Sequence, residues 1–261
     1  MSIEVRGLSS AIPKLNVNSL TIEMGRTYIL LGPNGSGKTS LLKALIGLID
    51  TQAARHEVNG APLKGLSLAE RSNLFGYCPQ TLRAHPDLNC ELFLANAMIG
   101  SGKSPSLRLN SAQAALNDYH LSHLATRPLA VLSGGEWQRL ILLSLELKNA
   151  PYWFLDEPTN HLDPANQIET LCLLAKESET NQRAIILASH ELSLLGLLHN
   201  AGDLSPPILV LMNDGGIEEI TTLDSSNLSV SLSKLFKVNI CAAPDELGRT
   251  FLYPGREVSH D

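Results

Sequence analysis

The chain has 261 residues, 44% of them hydrophobic, and a formal net charge of −6. That is enough apolar material for a sizeable core, in one large α/β domain or two small ones. The acidic balance argues against a nucleic-acid binder, which usually shows a basic patch or stripe, and against a protein held electrostatically on anionic lipid.

The opening Met1-Ser2-Ile3-Glu4-Val5-Arg6 lacks the basic start and apolar block of a secretory signal. Ile3 and Val5, then Leu15, Val17, Leu20 and Ile22, alternate with polar residues at the period of antiparallel strands, with a turn near Ser9 to Pro13. Thr27 to Leu31 is a short apolar run feeding into glycine, which predicts a buried strand with a helix from Lys38 to Gly47 behind it. Glu57 to Leu68 reads as strand around an Asn59-Gly60 turn, followed by a polar approach to Phe75-Gly76-Tyr77. From about Thr81 to Pro128 strand-like runs vanish. Ala, Leu, Asn and Ser at helical spacing, broken by Gly100 to Pro105, predict a mostly helical insert.

A further helix runs from Gly135 to about Lys148. Its Leu140 to Leu147 run is the longest apolar stretch, cut by Ser144 and Glu146 and far short of the ~20 residues a membrane-spanning helix needs. Strands at Tyr152 to Leu155 and Ala184 to Ala188 bracket a helix whose Ile168, Leu171, Cys172 and Ala175 share one face. Pro206-Pro207 starts a strand, Ile208 to Met212, which Asn213-Asp214-Gly215-Gly216 turns into Ile217 to Ile220. The last forty residues are weakly patterned, with Asp245 to Tyr253 offering one hairpin. Cys78, Cys90, Cys172 and Cys241 are scattered without a CxxC pair and read as reduced thiols. No internal repeat is present, so a single copy of the fold is expected. Alternating strands and helices with a glycine loop in the first such pair imply a largely parallel sheet covered on both faces, with ligand at the carboxyl ends of the strands.

Two segments carry chemistry on their own residues. In Gly32-Pro33-Asn34-Gly35-Ser36-Gly37-Lys38-Thr39 the glycines clear side chains from a loop whose backbone amides, from Asn34 to Ser40, can face a phosphate at a helix N-terminus. Lys38 is then expected at the β- and γ-phosphates of ATP, and Thr39 on Mg²⁺. Trp153-Phe154-Leu155 is an apolar strand ending in Asp156-Glu157. A carboxylate at the end of a buried strand needs a cationic partner, so Asp156 is expected to hold Mg²⁺ and Glu157, pointing the other way, to polarise the attacking water.

Downstream, Leu132-Ser133-Gly134-Gly135-Glu136-Trp137-Gln138-Arg139 resembles the signature of ABC-transporter ATPases. Gln80, Asn160-His161-Leu162-Asp163 and His190 stand in the order that family has them. The resemblance covers roughly Ile3 to Ile220. It implies that Ser133, Gly134 and Gly135 bind the γ-phosphate of ATP held by a second, identical subunit, and that Asp163 crosses the dimer interface. It also implies that Gln80 senses nucleotide and metal for a polytopic membrane permease, and that His190 holds the γ-phosphate and water. The implied fold is α/β: a P-loop NTPase core with a mostly parallel sheet, an N-terminal antiparallel β-subdomain and an inserted α-helical subdomain. The expected ABC ATPase domain spans 1–225, with the helical insert at about 81–148 and a short C-terminal extension at 226–261.

Two departures stand out. No Phe, Trp or Tyr precedes Tyr28, although the family stacks adenine on an aromatic near Ser9 to Ile12, leaving an aliphatic such as Ile12 for the base. His161 replaces a small residue and receives no role. Trp137, the modest insert and the short extension are similar to ATPases of vitamin B12, haem and ferric-siderophore importers, placing the chain at the cytoplasmic face of the membrane through its permease. Trp137 as plain packing of the signature helix is an equal reading. The alternative is a soluble, non-transport ABC ATPase: Asp156 to Asp163 is also typical of the translation-factor branch, whose two units and charged linker are missing here. A small-molecule kinase would leave Ser133 to Glu136 unexplained.

Overall fold

The computed structural model describes residues 1–80, 88–160, 162–195, 205–244 and 250–255. Three central strands, β3 (Thr27–Leu31), β7 (Tyr152–Asp156) and β8 (Ala184–Ser189), are apolar almost throughout. Such runs suit strands buried on both faces. They pair in parallel in the order β3-β8-β7, with β6 (Phe75–Cys78) parallel beyond β7 and β9 (Ile208–Asn213) parallel on the other side of β3. Alternate residues feed two cores. Tyr28, Leu30, Phe154, Ile186 and Val210 face one cluster, while Ile29, Leu31, Trp153, Leu155, Ile185 and Leu187 face the other.

The first cluster is closed by β1 (Ser2–Ser10), β2 (Leu15–Glu23) and α1 (Lys38–Leu45). β1 and β2 are antiparallel, as their alternation predicts. They continue through β4 (Arg55–Val58) and β5 (Ala61–Pro62) on one side and meet β10 (Gly216–Thr222) on the other, so all ten strands form one sheet. The predicted strand from Glu57 to Leu68 is shorter than expected. After Pro62 the chain enters a 3₁₀ turn and then α2 (Leu68–Leu74), whose N-cap Ser67 forms a reciprocal capping box with Glu70.

The second cluster lies under α5 (Gly134–Lys148) and α6 (Pro164–Thr180). The predicted face of α6 is rotated. Of Ile168, Leu171, Cys172 and Ala175 only Leu171 is fully buried, and the inward stripe is Thr170, Leu171, Leu174, Glu177 and Ser178. Polar residues sit inward there because Arg183, 7% exposed, needs them: Glu177 pairs with its guanidinium at 3.4 Å and Ser178 donates to its carbonyl at 3.1 Å. The Arg183 guanidinium also lies 4.6 Å over the Trp153 ring.

α3 (Cys90–Ala97), α4 (Pro105–Asp118) and one side of α5 make a third cluster, the helical region expected between β6 and β7. The expected break at Gly100 to Pro105 separates α3 from α4; residues 81–87 of the expected insert lie outside the described residues. The C-terminal region holds more than the sequence suggests. α7 (Leu228–Phe236) buries Leu228, Leu232 and Leu235, and β11 (Ile240–Pro244) pairs antiparallel with β12 (Thr250–Pro254). The expected hairpin starts earlier than Asp245, and residues 245–249 lie outside the described residues. All four cysteines are free, and among the described residues no helix is long and apolar enough to cross a membrane.

Trp153 is wholly buried, donates to the Ala150 carbonyl and carries Arg183 on its face. Trp153→Ala should therefore cost about 3–5 kcal/mol of folding stability, read as a lower urea midpoint at unchanged slope.

Candidate functional site: a nucleotide cleft and a separate signature face

The carboxyl end of β3 runs into the loop Gly32 to Gly37, and α1 begins at Lys38. Two glycines in it are sterically forced. A Cβ on Gly32 would collide with the Met212 carbonyl oxygen and Ser36 Oγ, and Gly37 sits at φ +98° as the N-cap of α1. The loop is braced from behind by the turn after β9, where the Gly215 amide donates to the Ser36 carbonyl at 3.0 Å. Lys14 and Asp214 form an ion pair on that outer side.

Lys38 is buried and folds back over its own loop. Its ammonium donates to the Gly32 carbonyl at 2.7 Å and the Pro33 carbonyl at 3.0 Å. Burial holds it below the ordinary lysine value, against the opposing pull of Glu157 and Asp156. Ser36 Oγ is buried without any hydrogen-bond partner. A loop with one clasped ammonium, one orphaned hydroxyl and inward space cleared by glycine fits a polyphosphate.

Thr39 follows Lys38 and donates its hydroxyl to Asp156 Oδ1 at 2.9 Å. Asp156 ends β7 with only 3% exposure, and burial raises its carboxyl above the usual aspartate value, more than the Thr39 bond and nearby lysines lower it. A buried carboxylate of this kind is compatible with a cationic partner. A hydroxyl, a carboxylate and the Gln80 amide are oxygen donors suited to Mg²⁺ with phosphate and water completing its shell.

Glu157 takes a left-handed backbone, φ +52°, which turns the chain sharply as it leaves the sheet. Its amide donates to the Ala188 carbonyl of β8 at 3.0 Å. The carboxylate pairs through Oε1 with His190 Nδ1 at 2.8 Å and accepts at Oε2 from Gln80 Nε2 at 2.6 Å and Asn160 Nδ2 at 3.1 Å. The loop and Glu157 face each other across an open cleft of about 560 Å³ lined by Asn34, Gly35, Gly37, Lys38, Thr39, Ser40, Gln80, Glu157, Asn160 and His190. Asn160 is the addition that the sequence reading missed: it stands in the quoted motif, three residues past Glu157, but received no role of its own.

The remaining expected residues are elsewhere. Ser133, Gly134, Gly135 and Asp163 line a second concavity with Glu136, Arg139, Leu162 and Asn166. Ser133 is the N-cap of α5, and its amide and hydroxyl both donate to Glu136 Oε2, each at 2.8 Å. Those bonds hold the Glu136 carboxyl below the usual glutamate range. Asp163 caps α6 through the Asn166 amide at 2.9 Å. Trp137 lies between the second and third clusters and packs on Phe93 of α3, centroids 5.5 Å apart, which is the plain packing reading. His161 lies outside the described residues.

The fold and the first cleft are those of a P-loop nucleotide-binding ATPase. Residues 15–160 match the ABC transporter family, and the chain belongs to that family, as its ATP-hydrolysing component. It is 34% identical over 189 residues to the zinc import ATP-binding protein ZnuC of Saccharophagus degradans, covering 71% of this chain and 67% of that protein. It is 37% identical over 166 residues to the hemin import ATP-binding protein HmuV of Bordetella avium, covering 59% of this chain and 62% of that protein. Over 230 residues, 85% of this chain and 81% of that protein, it is 27% identical to the iron(3+)-hydroxamate import ATP-binding protein FhuC of Bacillus subtilis. A solved ATP binding subunit of an ABC transporter superposes with a TM-score of 0.73 at 24% identity, over 91% of this chain and 98% of that one, a likeness of fold.

Because burial opposes the charge on Asp156, the neutral isostere Asp156→Asn should melt at a higher temperature than the parent protein without nucleotide or magnesium. A lower or unchanged melting temperature in differential scanning fluorimetry would contradict that burial argument.

Proposed function

We propose that this chain powers a membrane importer of a metal-chelate compound (cobalamin, haem or ferric siderophore) by hydrolysing ATP. It would act as one of two identical ATPase subunits on polytopic permease subunits at the cytoplasmic face. The observation that carries the reading is the split between the two concavities. Lys38, Gln80, Glu157 and His190 share one cleft, while Ser133, Gly134, Gly135 and Asp163 share another on the same chain. A head-to-tail pair lets each subunit's signature face cover the other's nucleotide. The relatives named for hemin and iron(3+)-hydroxamate import support the chelate class. Those named for zinc import favour, as a second reading, the metal ion itself. We assign 1–225 to the ATPase domain, with the insert at about 81–148, and 226–261 to the extension.

In this reading the amides of Asn34 to Ser40, with Gly32, Pro33, Gly35 and Gly37 shaping the loop, hold the phosphates. Lys38 exchanges its two carbonyl partners for β- and γ-phosphate oxygens. Thr39, Asp156 and Gln80 would hold Mg²⁺, which would supply neutralisation of phosphate charge. Glu157 accepts the proton of the attacking water as its oxygen bonds to the γ-phosphorus and the bond from that phosphorus to the β–γ bridging oxygen breaks, releasing phosphate and ADP, and His190 steadies water and γ-phosphate. The protein's part is positioning and electrostatic stabilisation. The base packs on Ile12, 93% exposed at the turn between β1 and β2.

Glu157→Gln should bind ATP, pair with a second subunit and lose about 10²–10⁴-fold in turnover, measured as phosphate release beside size-exclusion chromatography. Near-normal turnover would remove Glu157 as the base. Ser133→Arg should bind ATP as a monomer and lose turnover; an unaffected rate would rule out the shared site. Lys38→Ala should abolish ATP binding in equilibrium dialysis, whereas retained binding would take the loop out of the account.

A further inference from the structure

Three donors meet one carboxylate in the cleft, and two of them have other tasks. In the reading above, Gln80 turns to the metal and His190 to the γ-phosphate and water. If both leave, Glu157 keeps its backbone turn but loses the side-chain contacts that aim it. Only Asn160 remains. Its Nδ2 is 3.1 Å from Glu157 Oε2, and its backbone amide donates to the Glu157 carbonyl at 3.2 Å, closing the same short turn. The turn is held from outside by the Glu157 amide on Ala188 and by Gln167 Nε2 on the Thr159 carbonyl at 3.3 Å. Asn160 therefore cannot drift from Glu157 without unmaking the segment, whereas Gln80 arrives from a different strand end, after β6.

We propose that Asn160 is a positioning residue for hydrolysis. Its side-chain amide grips Oε2 of Glu157 once Gln80 and His190 have turned to the nucleotide, leaving Oε1 directed at the attacking water. An amide suits this task because it donates to a carboxylate without adding charge beside the metal site. The inference rests on Glu157 being the base.

The test uses the full chain and compares Asn160→Leu, which keeps the approximate shape and removes the donor without adding charge, with Asn160→Ala. Both should keep the parent melting temperature and an ATP KM within about twofold, because neither touches the phosphate loop. Both should lower kcat about tenfold or more, the size of one lost charge-assisted hydrogen bond. In a Glu157→Gln background neither should lower the residual rate further, since a residue that acts through Glu157 has nothing left to position. A wild-type kcat in Asn160→Leu and Asn160→Ala would overturn the proposal, as would the same fold-loss with and without the Glu157 carboxylate. The two levels separate cleanly. Near-normal turnover of Glu157→Gln sinks the assignment of the base, while an inactive Glu157→Gln beside fully active Asn160 variants sinks the positioning role alone.

Discussion

Everything at the nucleotide cleft depends on a pair of neighbouring carboxylates at the end of one fully buried strand. β7 is apolar on both faces until Asp156, so the first carboxylate is in the protein interior before the chain reaches solvent. A buried carboxylate is tolerated only with hydrogen bonds and positive charge. The structure gives Asp156 one neutral donor, Thr39, and lysines at a distance. The sheet thus delivers buried negative charge beside the glycine loop that opens α1.

The second constraint comes from the turn at Glu157. Continuing the strand would send its side chain to the opposite face of the sheet. The left-handed backbone instead swings the carboxylate towards Gln80 and His190, which arrive from the ends of two other strands, β6 and β8. Three parallel strands ending at one edge therefore contribute to a single acid–base cluster, which is why a parallel sheet is the scaffold. The cluster satisfies itself internally: Lys38 binds its loop's carbonyls, and Glu157 takes three partners.

Much of this was legible in the sequence. The phosphate loop, the paired carboxylates and the two-faced strands follow from local rules, because glycine sterics and unbroken apolar runs leave few alternatives. The errors came where a distant residue decides. The C-terminal part of α6's inward face follows Arg183, so Glu177 and Ser178 turn inward while Ile168, Cys172 and Ala175 do not. α7 was missed because its serines mask a stripe of three leucines, Leu228, Leu232 and Leu235. Asn160 was overlooked because its partner is made by the turn at Glu157, and a left-handed non-glycine residue leaves no trace in residue type.

The signature helix joins the two halves of the argument. α5 buries Ile141, Leu142 and Leu145 against the sheet and Leu140 and Leu143 against the insert, so it has no single apolar stripe. Trp137, one turn from Ser133, rests on Phe93 of α3 and touches both clusters. Close-packed interiors transmit displacement because they lack room to absorb it. Ser133 and α3 are therefore joined by one continuous packed route, a helix and an aromatic pair in which the partly buried Trp137 is shared by both clusters.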